Sequence, residues 1–467
     1  MKMNEPAGFS LPDIPEELIR RFDKLGPRYT SYPTADRFNT GFNAESYINY
    51  LKERSRLAIK PPLSLYIHIP FCASLCYYCA CNKVITKDHG RSAKYLEYLE
   101  KELKLVTTHL HEREVLSQLH LGGGTPTFLS HDEMRHLMQM LRQYFDFSDD
   151  AEISIEIDPR TVNAQTLQLL AELGFNRTSL GVQDFNPDVQ KAIHRMQTFA
   201  LVDNTVQASR AAGFQSINFD LIYGLPKQNL DSFSETLDQV IALSPDRIAL
   251  YNYAHLPTRF KPQRRIAEAD LPSAEQRLQI FLMSLRRLQA EGYVYIGLDH
   301  FARPDDSLAR AMADGSLHRN FQGYTTRSDC DLIGLGLSSI GKIGASYVQN
   351  LRTLDEYYAC LDKGELPVEK GIDLSMDDVL RRQIIMSLMC SSTVDFGALE
   401  RQYRISFADY FADELAQLTG YAQEKMIDLS ASAITVEARG RLFVRAVGMA
   451  FDHYLTRQTT ASYSKLI

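Results

Sequence analysis

Short runs of β-branched and aromatic residues recur along the chain, with helical stretches between them. The runs are LSLYIHIP, SQLHLGGGTPT, AEISIEIDP, RTSLGVQDF, SINFDLIYGLP, RIALYNY and YVYIGLDHFA. The first begins at Leu63 and the last ends near Ala302, and the intervening YLEYLEKELKLV and TLQLLAEL have apolar residues at helical spacing. Six or seven βα units favour an α/β fold with a partial or open parallel (β/α) barrel over a flat doubly wound sheet. The pattern itself is compatible with either arrangement.

The pattern changes on both sides of this core. The segment GPRYTSYPTA is rich in turn and aromatic residues and predicts an arm over the site that excludes water. From about Met376 the sequence indicates helices, two short strands in MIDLSASAITVEARG, and a final helix over RLFVRAVGMAFDHYL, a mainly helical module that resembles a winged helix. We therefore predict an N-terminal arm over 1–56, a core barrel over 57–300, a core extension and connection that completes the site over 301–370, and a C-terminal helical domain over 371–467.

Composition excludes several classes of protein. Of the 467 residues, 45% are hydrophobic and 23% charged, as in a soluble globular protein, and the net charge of -7 disfavours nucleic acid and anionic lipid as partners. No stretch approaches the roughly 18 apolar residues of a membrane span, and MKMNEPAGFSLPDIPEELIRRF lacks the apolar region of a signal peptide. The odd count of seven cysteines, four of them clustered, fits a reduced compartment. We expect a cytoplasmic protein without membrane or nucleic-acid partners.

The densest chemical signal is the segment IHIPFCASLCYYCACNK. Cys72, Cys76 and Cys79 follow a predicted strand and are separated by three and then two residues. Three thiolates on a tight loop can hold three irons of a 4Fe–4S cube and leave the fourth iron open for a ligand. The alternatives are a zinc site, which usually has four ligands in two pairs, and a group of inert buried cysteines. No second cysteine pair exists here, so the spacing favours the cluster.

Two neighbours of this loop are candidate catalytic residues. Cys81 is a spare ligand, a redox thiol or neither, and its proximity to the cluster favours a functional role. His68 lies four residues before the first cysteine, where it could relay a proton or gate the cluster, or be a hydrogen-bonded strand residue.

Polar residues also follow the apolar part of successive strands. These are the turn Gly122 to Thr125, Glu156 with Asp158, Gln183 with Asp184, Asp220, and Asp299 with His300. Ligand sites of parallel α/β folds lie at the carboxyl ends of the strands. Any single residue of this kind could instead cap the following helix, but the recurrence on successive strands favours a site.

The chain as a whole resembles the oxygen-independent coproporphyrinogen III oxidase (dehydrogenase) family of radical S-adenosylmethionine (SAM) enzymes. The segments that carry the resemblance span nearly the full length: GPRYTSYPTA, SLYIHIPFC, CYYCACNK, HLGGGTPT, EISIEIDPR, GVQDFN, NFDLIYGLPKQ, YNYAHLP, LDHFARPDD and HRNFQGYTT. The run Gly122–Gly123–Gly124–Thr125 resembles the motif that receives the methionine amino group of the cofactor, with Thr125 in place of an acidic residue. Matches to so many segments are not expected by chance.

The resemblance implies an activity and a set of site residues. It implies oxidative decarboxylation of the ring A and ring B propionates of coproporphyrinogen III, through a 5'-deoxyadenosyl radical, to give protoporphyrinogen IX in anaerobic haem biosynthesis. It implies one 4Fe–4S cluster on Cys72, Cys76 and Cys79, two molecules of SAM, and Cys81, His68 and Gln322 as catalytic residues. The implied SAM contacts are Tyr66, Tyr78, Gly123, Gly124, Thr125, Glu156, Gln183, Arg195, Asp220, Ala254 and Ile340. Core packing is the alternative for Ala254 and Ile340.

The implied partners are coproporphyrinogen III, a low-potential electron donor such as flavodoxin or ferredoxin, and an unidentified electron acceptor, for a monomeric protein. The substrate has four carboxylates, so Arg28, Lys342 and the region Arg259 to Arg265 are candidates to bind them. A solvated basic surface is the alternative for each. Tyr29, Tyr32 and Asn320 also lie in segments that resemble functional ones.

Two other functions compete with this interpretation. A haem-trafficking relative keeps the cluster but usually has Phe at the position of Cys81 and lacks the GPRYTSYPTA arm. This chain has both the cysteine and the arm, which favours the oxidase. A radical methyltransferase or a nucleic-acid-modifying enzyme is disfavoured by the acidic net charge.

Overall fold

The computed structural model describes residues 14–22, 25–327 and 330–455. Its helices are α1 Glu16–Phe22, α2 Ala44–Arg56, α3 Gly90–Thr108, α4 His131–Tyr144, α5 Ala164–Glu172, α6 Pro187–Ala192, α7 Phe199–Ala211, α8 Leu230–Leu243, α9 Ala274–Ala290, α10 Ser307–Asp314, α11 Leu354–Asp362, α12 Met376–Ser391, α13 Phe396–Tyr403, α14 Phe407–Tyr410, α15 Ala412–Gln423 and α16 Val444–Met449.

The strands are β1 Leu63–Ile69, β2 Phe71–Cys72, β3 Val84–Ile85, β4 Glu114–Gly123, β5 Phe145–Ile157, β6 Arg177–Gln183, β7 Ser216–Tyr223, β8 Arg247–Asn252, β9 Val294–Gly297, β10 His300–Ala302, β11 His318–Asn320, β12 Gly323–Thr325, β13 Asp331–Leu335, β14 Ile340–Ile343, β15 Ser346–Asn350, β16 Val368–Asp373, β17 Thr393–Asp395, β18 Ile427–Leu429 and β19 Ala433–Val436.

The chain forms two compact units. The core unit comprises Phe38–Arg287 and Asp329–Asp373, and the terminal unit comprises Met1–Arg37, Leu288–Ser328 and Leu374–Ile467. Both units combine separated stretches of the chain, and the four consecutive ranges predicted from the sequence stay predictions. Residues 1–13 of the predicted arm and 456–467 of the predicted C-terminal domain lie outside the described residues.

The core unit is built on one large sheet, whose strands in this unit follow the order β16-β15-β14-β13-β1-β4-β5-β6-β7-β8. The strands from β13 to β8 are parallel to their neighbours. The last three, β14 to β16, are antiparallel. Six of the predicted runs are thus parallel strands, and the predicted α/β architecture with an open strand order is confirmed.

Alternation within each strand gives this sheet one apolar and one polar face. In β1, Leu63, Leu65, Ile67 and Ile69 are fully buried. The residues between them are polar, and the strand register aligns them with polar residues of the neighbouring strands. The aligned pairs are Ser64 with Gln118, Tyr66 with His120, His120 with Ser154, Glu156 with Ser179, Ser179 with Asn218, and Gly181 with Asp220. Because side chains alternate along a strand, these residues share one face.

The connecting helices carry apolar stripes of helical period. In α3 the buried positions include Tyr95, Leu99, Leu103 and Val106, at spacings of three and four residues. Helix α4 begins with a capping box in which Ser130 accepts from the Glu133 N–H, and the Glu133 carboxylate accepts from the Ser130 N–H. These stripes let the helices pack on the apolar surface of the sheet.

Two expectations about elements are wrong. The run YVYIGLDHFA is not a parallel strand but an antiparallel hairpin, β9 with β10, which turns at Leu298 with a φ of 51°. The helix expected over RLFVRAVGMAFDHYL is a 3-10 helix over Ala438–Phe443 followed by the six-residue α16. Glycine in a helix interior is unfavourable, and Gly448 lies in the last turn of α16.

The terminal unit contains the predicted C-terminal module. Strands β18 and β19 form the expected hairpin, and β17 extends it to a three-stranded sheet beside helices α12 to α16. Tyr29, fully buried, donates from its hydroxyl to Asp452 at 3.0 Å. Arg445 donates to the carbonyls of Gly26 and Pro27 at 2.7 and 3.0 Å. The segment that begins at Gly26 is therefore held by the C-terminal module of the same unit.

No helix among the described residues is both long and apolar enough to cross a membrane.

Candidate active site

The cysteine loop follows β1 directly and is held at several points by other residues of the core unit. Its first strand, β2, pairs in parallel with β3 at the far end of the loop. The Tyr77 N–H donates to the Ile193 carbonyl at 2.9 Å, and the Gln263 side chain donates to the carbonyls of Tyr78 and Ala254 at 3.0 and 3.2 Å. The loop therefore has a fixed path at the carboxyl end of the sheet.

Hydrogen-bond donors surround the thiols of this loop. The Thr125 hydroxyl lies 3.4 Å from Cys72 Sγ. Arg195 Nη1 and Arg160 Nη2 lie 3.6 and 3.7 Å from Cys76 Sγ. Asp158 accepts from both arginines, at 3.0 Å from Arg195 and 2.6 Å from Arg160, and so fixes their positions. These groups lie where they can donate to thiolates that bind iron, although burial raises the pKa of the free Cys72 thiol to about 11.

Cys81 is exposed and acts on Cys79, which it follows by two residues. A hydrogen bond from Cys81 and the charge of Lys83 hold the pKa of the Cys79 thiol below its usual value, although desolvation opposes this shift. The same hydrogen bond raises the pKa of Cys81. Lys83 Nζ also donates to the carbonyls of Cys79 and Cys81, at 3.0 and 3.2 Å. Cys81 and Lys83 thus both interact with Cys79, one of the three predicted iron ligands.

The glycine turn at the end of β4 lies close to the Glu156 and His68 side chains and to the Pro70 carbonyl. A Cβ on Gly122 would lie 3.0 Å from the Glu156 carboxyl group, and one on Gly123 would lie 2.6 Å from the His68 imidazole. A Cβ on Gly124 would lie 2.7 Å from the Pro70 carbonyl. Gly123 also has a φ of 114°, which disfavours other residues. The turn therefore requires glycine for both space and backbone conformation.

His68, whose imidazole lies beside this turn, has a hydrogen-bond partner on each ring nitrogen. Nε2 lies 2.9 Å from the Asn82 carbonyl, which can only accept, so Nε2 carries the proton. Nδ1 then accepts from the Tyr66 hydroxyl at 3.1 Å. Burial lowers the pKa of His68, which favours the neutral ring. The Tyr66 ring stacks on His120 with centroids 5.9 Å apart.

Two carboxylates lie on the polar face of the sheet. Glu156 accepts from the Gly123 N–H at 3.1 Å and lies 3.5 Å from His120 Nε2. Desolvation opposes ionisation of Glu156, but His120 and the Gly123 N–H outweigh it, so the pKa is lowered. Asp220 accepts from two neutral groups, Ser179 at 2.8 Å and Asn218 at 3.0 Å, and burial raises its pKa to about 7.

The other proposed SAM contacts lie at the same end of the core unit. Gln183 ends β6 with a φ of 66°, and its amide nitrogen lies 2.9 Å from the Cβ position of Gly181. Arg195 Nη2 donates to the Gly181 carbonyl at 2.7 Å. Ala254 follows β8, and the Ile340 carbonyl lies 2.7 Å from the Cβ position of Gly334, the β13 partner of Tyr66.

The candidates for substrate carboxylates are dispersed. Lys342 lies on β14 of the core unit. Arg265 donates to the Tyr77 hydroxyl at 3.3 Å, and Arg264 donates to the Pro257 carbonyl at 2.9 Å. Arg28 and Gln322 belong to the terminal unit, where Arg28 pairs with Asp299 at 2.9 Å.

Sequence reasoning missed three residues that shape the site. His120 shares the polar face with Gly122 because it lies two residues earlier on β4, and strand period could have identified it. Arg160 contacts Cys76, which lies 84 residues away in the sequence. Gln263 donates to Tyr78, 185 residues away, and to Ala254 across a loop. No local pattern indicates those contacts.

The residues of this site fit an iron–sulfur cluster and SAM. Among the described residues, no three His, Cys, Asp or Glu side chains converge on a single ion, and cluster thiolates need not, because each binds a different iron. Arg195 Nε is buried and has no acceptor within the described part of the chain, so a donor is left for a carboxylate. The glycine turn allows a ligand to approach the backbone.

Comparison with known proteins identifies relatives over almost the whole chain. The radical SAM superfamily matches residues 66–240, and the HemN C-terminal domain matches residues 374–443. An oxygen-independent coproporphyrinogen III oxidase from Pseudomonas aeruginosa is 50% identical over 453 residues, covering 97% of this chain and 98% of that protein. The protein of the same name from Escherichia coli K12 is 46% identical and covers 94% and 95%.

A solved structure has the same fold. It is the coproporphyrinogen III oxidase (HemN) from Escherichia coli, described as a radical SAM enzyme, and it aligns with a TM-score of 0.90 at 45% identity over 95% of this chain and 100% of that chain. The agreement extends from the core sheet to the C-terminal module. The chain therefore belongs to the family of oxygen-independent coproporphyrinogen III oxidases.

Proposed function

We propose that the cysteine loop and the polar carboxyl-end face of the core sheet form the active site of this enzyme. The chain is a radical SAM oxidoreductase of anaerobic haem biosynthesis, and it converts coproporphyrinogen III to protoporphyrinogen IX by oxidative decarboxylation of the ring A and ring B propionates. The observation that carries the assignment is 50% identity over 97% of the chain, together with the three-cysteine loop at the carboxyl end of a parallel sheet.

The cofactors of the family are a 4Fe–4S cluster and SAM. When bound, they supply the 5'-deoxyadenosyl radical that attacks the substrate propionate. Cys72, Cys76 and Cys79 hold the irons in this proposal. Arg160 and Arg195 lie beside Cys76 Sγ, and their charge offsets that of the thiolates.

Residues of the polar face bind SAM in this proposal. The Gly123 and Gly124 backbone lies close to the ligand, and Glu156 accepts hydrogen bonds from its polar groups. Asp220, whose pKa is near 7, donates or accepts according to its protonation. The remaining contacts are Tyr66, Tyr78, Thr125, Gln183, Arg195, Ala254 and Ile340. We propose that these residues serve two molecules of SAM.

Three residues are proposed to act in the reaction. Cys81 donates a hydrogen bond to Cys79 and lowers the pKa of that thiol, so its proposed role is beside the iron-binding cysteines. His68 is neutral, with its Nε2 proton held by Asn82, and it positions Tyr66 and the turn at Gly123. Gln322 has an amide nitrogen without an acceptor in the described part of the chain, which leaves it available to a ligand.

The proposal extends to the setting of the reaction. We propose a cytoplasmic monomer that takes electrons from a low-potential donor such as flavodoxin or ferredoxin, passes the substrate electron to an unidentified acceptor, and has neither nucleic acid nor membrane as a partner. The N-terminal arm excludes water from the site in this proposal.

Product analysis tests the assignment. The reconstituted enzyme is incubated anaerobically with coproporphyrinogen III, SAM, a low-potential reductant and cell extract as electron acceptor, and the porphyrins are separated after oxidation. We expect a divinyl product. Cleavage of SAM to 5'-deoxyadenosine with a methylated product would favour a methyltransferase, and tightly bound haem without turnover would favour haem transfer.

A further inference from the structure

One hairpin of the terminal unit carries an arginine with two guanidinium nitrogens that have no hydrogen-bond acceptor in the described part of the chain. Strands β11 and β12 pair antiparallel, with Arg319 opposite Tyr324. The Nε and Nη1 atoms of Arg319 are shielded from solvent and have no hydrogen-bond acceptor among residues 14–22, 25–327 and 330–455. Shielded donors are normally hydrogen-bonded, because an unsatisfied one has lost its hydration without compensation. Hydrogen bonds within the described residues therefore do not explain the position of these two nitrogens.

The guanidinium is nevertheless held in a defined place. It lies over the Tyr324 ring, with Cζ 4.8 Å from the ring centroid. The Tyr324 hydroxyl donates to the Met389 carbonyl at 3.0 Å. A Cβ on Gly297 would stand only 2.5 Å from that hydroxyl oxygen, so Gly297 leaves room for the ring. Arg319 rests on an aromatic ring whose hydroxyl end is fixed, which pre-organises the guanidinium for a ligand.

The surroundings of Arg319 are rich in positive charge. Arg28 pairs with Asp299 at 2.9 Å. Arg445 is buried and donates to the neutral carbonyls of Gly26 and Pro27. Burial, followed by the charge of Arg28, lowers the pKa of Arg445 to about 10. The neighbourhood favours an added anion.

The ring of His300 lies in the same neighbourhood. It contacts Tyr324 edge to face, with centroids 5.4 Å apart. Burial, followed by the charge of Arg319, lowers the pKa of His300 to about 4, so this imidazole is neutral near pH 7. A neutral ring neither repels Arg319 nor supplies the missing anion.

A second donor lies on the same hairpin. The turn between the strands is fixed by the Gln322 N–H, which donates to the Asn320 side chain at 2.8 Å. The Gln322 Nε2 is buried and, like Arg319, has no acceptor among the described residues. Two side chains three residues apart thus present unsatisfied donors, and buried donors are rarely left in that state without a ligand.

We infer that Arg319 binds a propionate carboxylate of coproporphyrinogen III, with the Gln322 amide as a second donor. The planar guanidinium matches the two oxygens of a carboxylate. Arg28, Arg264 and Arg265 differ from Arg319 because each already donates to a protein oxygen. The inference rests on the proposed function, since the tetracarboxylate substrate supplies the anion.

Equilibrium binding to the full-length chain tests the inference without any turnover. The probe is coproporphyrin III, the stable oxidised form of the substrate, followed by its fluorescence. We expect Arg319→Met to raise the Kd for coproporphyrin III roughly 10–100-fold, as for loss of a charge-assisted bidentate pair. The Kd of Arg319→Lys should lie between the values for wild type and Arg319→Met. The control is Arg310→Met, since Arg310 is exposed and donates to the Asp305 carbonyl. Equal Kd values for wild type and Arg319→Met would overturn the inference.

Two further measurements separate recognition from a structural role. The tetramethyl ester of coproporphyrin III has no carboxylates, so its binding should be equal in wild type and Arg319→Met. Without porphyrin, Arg319→Met should melt at the same or a higher temperature, because it removes two shielded donors that have no acceptor in the described part of the chain. A lower melting temperature with equal losses of affinity for acid and ester would assign Arg319 to folding and contradict the inference.

The product assay keeps this inference distinct from the assignment of function. If wild type forms the divinyl product and Arg319→Met has an unchanged Kd for coproporphyrin III, only the proposed role of Arg319 is rejected, and the assignment of function stands. Failure of wild type to form the product would reject the proposed function, whereas the acid-against-ester comparison would still decide whether Arg319 binds carboxylates.

Discussion

The two ends of the parallel sheet in the core unit carry carboxylates with different partners. At the amino end, Arg54 donates to Asp331 at 2.5 Å and to Glu114 at 3.2 Å, and all three side chains are at most 6% exposed. Lys60 adds a second cation at 3.0 Å from Glu114. Every carboxylate of this group has a cationic partner.

At the carboxyl end, two carboxylates of the polar face have weaker partners. Asp220 accepts from a hydroxyl and an amide, and Glu156 from a backbone N–H, with the His120 imidazole 3.5 Å away. Burial raises the pKa of Asp220 to about 7. The difference teaches that the amino end is arranged for stability and the carboxyl end for a ligand, since perturbed titration behaviour concentrates at functional sites. Four variants test this contrast.

Arg54→Ala should have the largest effect, and on stability. It leaves Asp331 and Glu114 buried without their shared cation, which costs about 3–5 kcal/mol of unfolding free energy. Chemical denaturation measures the loss. The control is Arg56→Ala, an exposed position on the same helix. A loss equal to that of the control would contradict a stabilising role for the amino end.

Asp220→Asn should raise stability in a pH-dependent way. Because the pKa of Asp220 is raised to about 7, the folded protein retains a proton that the unfolded chain releases near pH 4. Wild-type stability therefore falls as pH rises from about 4 to 7, by up to roughly 4 kcal/mol from this group. Asparagine does not titrate, so the advantage of the variant should grow across this window.

Denaturation at several pH values, without added SAM, measures the effect of Asp220→Asn. Asp149→Asn, at an exposed residue of β5, is the control. Parallel stability curves for wild type and Asp220→Asn would show that Asp220 does not titrate in this range.

Glu156→Gln should affect SAM binding more than folding. The change preserves shape but removes the negative charge that accepts from the ligand, so we expect a SAM Kd roughly 10–100-fold higher. Calorimetric titration measures the Kd, and denaturation should show a change below about 1 kcal/mol. Glu172→Gln, exposed on α5, serves as control. Large destabilisation with unchanged SAM affinity would show that Glu156, like the charged residues at the amino end, serves stability and not SAM binding.

Lys60→Ala should have the smallest effect. Its amine pairs with Glu112 and Glu114, but Glu112 is 70% exposed and Glu114 keeps Arg54. We expect a loss of about 0.5–1 kcal/mol that shrinks in high salt. Denaturation at low and high ionic strength checks this. A loss as large as that of Arg54→Ala would show that the amino-end network depends on both cations.

Local patterns predicted most of the core. The six parallel runs were recognisable because strand period and helical period alternate along the chain. Strand β13 was missed because its five residues, DLIGL, pair with β1 across more than 250 positions. The hairpin β9–β10 was missed because its turn uses Leu298 with a positive φ, where glycine or asparagine is the usual signal.

The site divides in the same way. The spacing of Cys72, Cys76 and Cys79 is local, so it is visible in the sequence. The contact of Arg160 with Cys76 is a product of tertiary structure, as is the hydrogen bond from Gln263 to the cysteine loop. Sequence therefore identifies the iron-binding thiols, whereas the groups that set their charge and position depend on the fold.

The most direct test of the account compares Cys72→Ala with Cys360→Ala after anaerobic reconstitution. Iron content, 5'-deoxyadenosine and divinyl porphyrin are measured on the same samples. We expect Cys72→Ala to lose the cluster and both products, and Cys360→Ala, whose thiol donates to the carbonyls of Glu365 and Leu366, to keep all three. Divinyl porphyrin from Cys72→Ala at the wild-type rate would contradict the account.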